Sequence, residues 1–394
     1  MPTQFDRLKV LTAGILSLIL MLGIARFSYT PILPLMQDQA GLGMAEGGWL
    51  AAINYIGYLC GAIIAALTSN LLIKDRLFRI GLLVAVVTTI GMGMTENLWI
   101  WALLRFFAGL SSAAGLLLGS GLIMNWLIRH DFRSELGIHF GGLGLGIALC
   151  SLSVLLTRDY LDWRQQWYLL SIAGILIMLP VHLWLPAPDS SSVSRSGKQL
   201  QDKPPGQGFQ YLLMFAYFCA GIGYVVSATF IVAIVNDLPS LQGQGYLAFM
   251  VLGLAAAPAC IIWDLIARKI GDYNALLMAY IIKVIAILLP VFYQDAFMTM
   301  LGAVLFGATF IGIVSLVLTI AGRYYPTRPA KMMGKMTIAY GVAQIIGPAI
   351  TGQLAELTGS YADGLYMAAG MMIIGTIAVF RLGQLDKKTA TARA

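Results

Sequence analysis

Charge is what this sequence has least of. Lysine, arginine, aspartate and glutamate make up 11% of its 394 residues, against 59% apolar ones, where a soluble domain averages about 25% charged and 45–50% apolar. No water-soluble fold of this size could keep so much apolar surface out of solvent. Cysteines are few as well: Cys60, Cys150, Cys219 and Cys260. They form no C-x-x-C pair and no cluster with the three scattered histidines. A metal centre therefore has no support and no cofactor is implied, and the thiols read as small apolar packers. A nucleophile–base pair and a phosphate loop are also missing, which argues against an enzyme. No basic run with interleaved aromatics occurs, so the net charge of +7 is not a nucleic-acid footprint.

Long apolar runs are what the sequence has in abundance. A membrane-crossing helix needs about 20 apolar residues. Such runs fall at 10–36, 46–70, 78–95, 98–127, 135–157, 165–185, 209–236, 244–266, 273–293, 296–322, 333–355 and 361–381. They are too long, and lack the alternation, for barrel strands, so the chain reads as an all-α membrane protein of twelve spans. Trp49, Trp99, Trp101, Trp126, Trp167 and Trp184 lie near span ends, as an interfacial belt requires. The first span is too long for a cleaved signal and is kept. With both termini in the cytoplasm, the inner segments hold 20 of the 25 basic residues and the outer loops only Arg158 and Arg164, while the acids divide nine and nine. Orientation follows positive charge, and the net charge thus reflects topology.

The one long polar stretch, PAPDSSSVSRSGKQLQDKPPGQ at 186–207, cannot cross lipid or build a core. It divides the chain into six-span bundles at 1–185 and 208–394. These match internally: an offset of 198 carries Gly23-Ile24-Ala25-Arg26 onto Gly221-Ile222-Gly223-Tyr224 and Gly109 onto Gly307, and an offset of 197 carries Gly137 and Gly144 onto Gly334 and Gly341. Two repeats in the same orientation, with a site at midplane between them, are a transporter plan.

Particular motifs add a family resemblance. The loop from Leu71 to Arg79, with Asp75 and Arg76, and that from Asp264 to Asp272, with Arg268 and Lys269, resemble the G-x-x-x-D-R-x-G-R loop of the major facilitator superfamily. The first puts Leu71 and Phe78 where the family has glycines; the second keeps only the later glycine. Arg105-Phe106-Phe107-Ala108-Gly109 resembles the family's R-x-x-x-G signature, and Gly341, Gly347, Pro348 and Gly352 before LAELTGS are typical of its eleventh helix. The stretch from Gly23 to Pro34 is similar to the bacterial YbfB/YjiJ-type branch. The resemblance implies a monomeric secondary transporter in the bacterial inner membrane. It also implies an inside-gate latch built from Asp75, Arg76, Arg79, Arg268 and Lys269. The alternative for these residues is a positive-inside loop with incidental pairing.

Only three charged side chains lie deep in spans: Arg26, Arg105 and Lys283. Charges at that depth cost about 2.5–3.5 kcal/mol and are usually functional or paired. Arg26 shares a helix face with Thr30, beside Tyr29 and before Pro31 and Pro34. It is expected to touch substrate or to serve an ion pair or gate. Arg105 is expected, from the resemblance, to line the cavity, tune coupling or bond to helix 1 carbonyls. Lys283, on a helix that is usually peripheral, is expected to snorkel or pack. Asn54 and Tyr58, Tyr340 and Gln344, and Tyr217 and Tyr224 each share a face on helices the family uses to line its cavity. Packing and binding remain equal readings for them.

No Asp or Glu lies deep in any span: Asp38, Glu46, Asp237 and Glu356 stand near ends. The fifth span carries Gly137, Gly141, Gly142, Gly144 and Gly146 but lacks the proline of the family's antiporter motif. Both features argue against efflux of cationic drugs. Two arginines without an acid suit a small organic anion, held bidentately, with a proton or counter-anion as the coupled species. The competing reading is proton-driven efflux of a neutral or amphipathic metabolite. A membrane enzyme or transporter-like sensor is a third class, for which no motif speaks.

Overall fold

Each apolar run folds as a helix whose ends lie within a few residues of the run or extend beyond it. The computed structural model describes residues 4–68, 70–130, 136–188, 204–236, 241, 243–293, 295–324 and 330–391. All regular structure among them is helical. In chain order the helices are α1 (Gln4–Ala40), α2 (Met44–Leu67), α3 (Leu71–Met94), α4 (98–129), α5 (Leu136–Thr157) and α6 (Trp163–Trp184). They continue with α7 (Gln207–Asn236), α8 (Gly245–Ala256 and Ala259–Ile270), α9 (Asp272–Phe292), α10 (Ala296–Tyr324), α11 (Ala330–Thr358) and α12 (Ala362–Thr391). Ten of these are long and apolar enough to cross a membrane singly, and the two pieces of α8, bent by 48° at Pro258, make an eleventh. The remaining helix, α11, has 29 residues but carries Lys335, Gln344, Gln353 and Glu356 along its length.

Glycines set how closely the helices approach, and they do so twice over. A Cβ on Gly109 of α4 would stand 1.9 Å from the Asn54 carbonyl oxygen of α2; one on Gly307 of α10 would stand 2.1 Å from that of Leu252 on α8. Residue pairs 198 apart thus make the same contact in each half. Gly144 lies against Ala257 of α8, and Gly341 against Leu59 of α2, so α5–α8 and α2–α11 are the two equivalent seams between halves. The glycine row of α5 serves both faces of that helix: Gly142 and Gly146 meet α1 at Ile15 and Gly23, while Gly141 and Gly144 meet α8.

The two ends of the bundle differ. At the face away from the termini, a Cβ on Gly48 would come 2.5 Å from the Pro348 carbonyl oxygen and 2.9 Å from Gly352 Cα. Ala45 N–H donates to Glu356 Oε2 at 3.2 Å, Gln37 Nε2 to Tyr361 Oη at 2.7 Å and Arg158 to the Gly243 carbonyl at 3.2 Å. At the termini face α2 and α11 separate around a cavity of about 300 Å³. The halves are therefore closed at one end and parted at the other.

Several expectations change. Residues 71–79 fold as the first turns of α3, because Asn70 caps them by accepting from the Leu72 and Ile73 N–H groups at 2.8 and 3.3 Å; they are no loop. Asp264 to Ile270 likewise complete α8, and Gly271, at φ 86°, makes the turn into α9. Trp101 and Trp167 are core residues, 2% and 0% exposed, whereas Trp49 and Trp99 are exposed as a belt requires. Of the two readings for Lys283, packing is the one the geometry displays. It is buried between α9 and α10, its ammonium 3.1 Å from the Phe306 ring centroid and 3.4 Å from the Phe306 carbonyl. Asp237 and most of the 186–207 stretch fall outside the described residues.

Candidate functional site

Pro31 is where the site begins. Lacking an N–H, it cannot close the helical turn behind it, and α1 answers by widening into a π-helical stretch over Ile19–Phe27. Ser28 N–H reaches back five residues to the Gly23 carbonyl at 2.9 Å. Wide turns of this kind leave carbonyls under-satisfied and recur at functional sites. Here Arg105 supplies the missing donors: its Nη1 lies 3.3 Å from the Ala25 carbonyl and 3.4 Å from that of Arg26. Its guanidinium also stacks 4.4 Å from the Tyr29 ring centroid. Of the three roles expected for Arg105, bonding to helix 1 carbonyls is the one the geometry displays.

Arg26 projects from the same widened turn toward the other half. Its guanidinium lies 4.5 Å from the Tyr55 ring centroid and 4.6 Å from that of Tyr58, both on α2. Tyr224 of α7 stands within electrostatic reach of it. Tyr224 stacks on Phe310 of α10 at 5.2 Å and on Tyr340 of α11 at 5.9 Å, and Tyr340 stacks on Tyr217 at 4.4 Å. Such cation–ring contacts are worth about 2 kcal/mol when desolvated. The two arginines are 5% and 3% exposed. Among the described residues no carboxylate pairs with either, and Arg26 Nε and Arg105 Nε meet no acceptor.

The midplane between the halves therefore holds two guanidiniums from one half, walled by aromatic rings from both. Arg26, Tyr29, Tyr58, Arg105, Tyr217, Tyr224 and Tyr340 come together there. Other candidates are placed differently. Thr30 Oγ1 donates to the Ala228 carbonyl at 2.8 Å and ties α1 to α7. Asn54 Nδ2 donates to the Arg105 carbonyl at 2.8 Å and ties α2 to α4. Gln344 is buried one turn from Tyr340, its Oε1 without a partner among the described residues. Sequence reasoning missed Tyr55 and Phe310. Tyr55 sits one position from Asn54 and three from Tyr58, so the helical periodicity of Tyr55 and Tyr58 was the signal that could have found it.

The expected gate residues lie at the termini face. Arg79 Nε donates to Asp75 Oδ2 at 2.9 Å, and its other nitrogens donate to the carbonyls of His182 and Leu185 at 3.1 and 2.9 Å. This cluster locks α3 to the end of α6 within one half. Asp75 Oδ1 is buried without a partner among the described residues. In the other half Arg268 pairs with Asp264 at 2.6 Å, and Arg76 and Lys269 are exposed. Among the described residues none of these charges bridges the halves.

Two like-oriented six-helix halves, packed around a polar cluster at midplane, define a multi-pass membrane transporter of the major facilitator class. The chain belongs to the family whose model is described as "Uncharacterised MFS-type transporter YbfB", matched over residues 18–380. It is 22% identical over 389 residues, covering 96% of this chain and 97% of the relative, to the uncharacterized MFS-type transporter YceJ of Bacillus subtilis. Solved structures share the fold. The nucleoside transporter NupG superposes with a TM-score of 0.73 at 12% identity, over 96% of this chain and 98% of that one. A bacterial homologue of the human lysosomal transporter Spinster, in an inward-facing and unoccupied conformation, gives 0.68 at 15% identity, over 97% and 98%.

Proposed function

We propose that this protein is a secondary transporter that moves a small organic anion, a carboxylate-type metabolite, across the cytoplasmic (inner) membrane by alternating access. The observation that carries the reading is the Arg26–Arg105 pair. It comprises two buried guanidiniums with nitrogens to spare and, among the described residues, no acid to neutralise them. Buried cations seek an anion, and the planar fork of arginine matches a carboxylate. Both termini lie in the cytoplasm in this reading, since basic residues concentrate at that face. The closed end then faces outward and the cavity between α2 and α11 inward. Rocking of the halves exchanges the two, with Asp75, Arg79 and Arg268 finding cross-half partners when the inner face closes.

The test is thermal stabilisation of the detergent-purified protein by a panel of organic anions, neutral metabolites and lipophilic cations, with Arg26→Ala alongside. A ligand at a hundredfold excess over its Kd stabilises by about 2.7 kcal/mol. Stabilisation by anions that vanishes in Arg26→Ala is expected. Stabilisation by cations or neutral compounds, unchanged in the variant, would overturn the reading. It would favour efflux of a neutral or amphipathic molecule, for which the ring wall of Tyr55, Tyr58, Tyr217, Tyr224 and Tyr340 is the supporting observation.

A further inference from the structure

We infer that the transported anion is amphipathic, with one acidic head and an apolar body about 10 Å long that lies along the cavity between α2 and α11. The inference rests on the anion reading above and names the substrate class within it. The cavity, about 300 Å³, is at the lower end of the 300–1,000 Å³ typical of ligand pockets. It is walled by Leu59, Ala62 and Ile63 of α2, Leu117 and Leu118 of α4, and Leu318 of α10, with α11 opposite. Along α2 it runs from Leu59 to Ala66, about 10 Å at 1.5 Å per residue. Its polar lining is sparse. Thr337 donates its hydroxyl to the Met333 carbonyl at 3.0 Å and so has spent its proton within its own helix.

Lys74 supplies the cavity's charge, at the mouth, in the first turn of α3. Arg79, farther along α3, is held by Asp75 and two carbonyls. Lys335 of α11, also at this face, lies 3.3 Å from Gln210 Oε1. Among the described residues nothing meets the Lys74 ammonium. Toward the middle of the bundle, Tyr58 and Tyr340 stand about one helical turn deeper on α2 and α11 than the lining residues Ala62 and Thr337. Beyond those rings lies Arg26.

A route built for a hydrophilic anion would place polar groups along its walls. This one places a cation at the mouth, apolar wall for 10 Å and a guanidinium pair at the end. That order fits a molecule whose head is drawn in by Lys74 and lodges at Arg26 and Arg105 once the Tyr58 and Tyr340 rings part. Its body then fills the apolar wall behind it. Each methylene so buried is worth about 0.8 kcal/mol, roughly fourfold in affinity.

The experiment is equilibrium binding of radiolabelled straight-chain carboxylates, from butanoate to dodecanoate, to the nanodisc-embedded protein, with empty nanodiscs subtracted. Decanol and decyltrimethylammonium serve as length-matched controls. Affinity is expected to rise about two- to fourfold per methylene and to level off near eight methylenes, with both controls at least tenfold weaker than decanoate. Ile338→Trp, at an exposed lining position, should flatten the series and leave butanoate unchanged. Lys74→Gln should weaken every acid about threefold, more so at low salt. A flat series in the wild type, with butanoate binding still lost in Arg26→Ala, would overturn the amphipathic body and leave the anion reading standing. Decanol binding as well as decanoate, indifferent to Arg26→Ala, would overturn both.

Discussion

The two halves share one backbone plan and carry opposite chemistry. At positions related by 198 residues, Gly109 and Gly307 press equally close on the helix beside them. Yet Arg105 stands where the other half has Ala303, Asn54 where it has Leu252, and Arg26 where it has Tyr224. The first half brings the guanidiniums, the hydrogen bonds that hold them and the rings stacked on them; the second brings further rings. What the pairing teaches is that the repeat specifies contact distances between helices, where backbone meets backbone. Chemistry at the interface is free to diverge, because the side chains there do not set those backbone contacts. Lys283 extends the contrast. Among the described residues it is the buried cation of the second half, and its ammonium lies over the Phe306 ring.

The comparison can be broken most severely at its glycines. Gly109→Val and Gly307→Val each drive a Cβ into a backbone carbonyl 1.9 or 2.1 Å away. Each should cost about 3 kcal/mol or more and sharply lower the yield of monodisperse protein. Collapse of one variant alone would show that the halves are not mechanically equivalent. Next comes the broken symmetry at the site. Arg26→Tyr should weaken anion binding at least tenfold, and adding Tyr224→Arg should recover part of that loss if either half can present the guanidinium. No recovery would tie the site to the π-helical turn of α1.

A smaller effect is expected at the closed end. Thr30→Val deletes one bond between halves, worth about 1 kcal/mol, and should shift the population about fivefold toward opening of that face. Maleimide labelling of Ala45→Cys, beside the Glu356 contact, reads this shift. The smallest effect separates Gly334 from its counterpart Gly137. A Cβ on Gly334 meets nothing within 4 Å, while one on Gly137 meets Ile261 at 3.0 Å. Gly334→Ala should therefore stabilise by up to about 1 kcal/mol through helix propensity, and Gly137→Ala should not. Equal shifts in thermal midpoint would mean that the α2–α11 seam closes at the termini face in solution.

Much of the architecture was legible beforehand. A run of about 20 apolar residues has one low-energy form in lipid, and recurring glycines at a constant offset exposed the repeat. The cluster at midplane was legible in part, because a charge at depth is costly enough to stand out among neutral neighbours. Arg26 and Arg105 were found that way. Helix ends were less so: Asn70 turned the supposed loop at 71–79 into α3 through two hydrogen bonds, and a cap looks like any polar residue in a chain of letters. Tryptophans misled for a related reason. Trp101 is near a span end yet donates its indole N–H to the Met92 carbonyl at 3.0 Å and packs edge-on against Trp163.

Composition, run length and glycine spacing were sufficient for a twelve-helix membrane protein in two repeats with buried arginines. Those properties follow from transfer free energy and backbone hydrogen bonding, which act along the chain. Which carbonyls Arg105 would satisfy, which rings would enclose Arg26, that Thr30 and Asn54 would tie helices together, and which end of the bundle would stand open were settled only when helices distant in sequence packed. Those outcomes depend on distances of a few ångströms between residues as far as 324 positions apart in sequence, and no local pattern carries them.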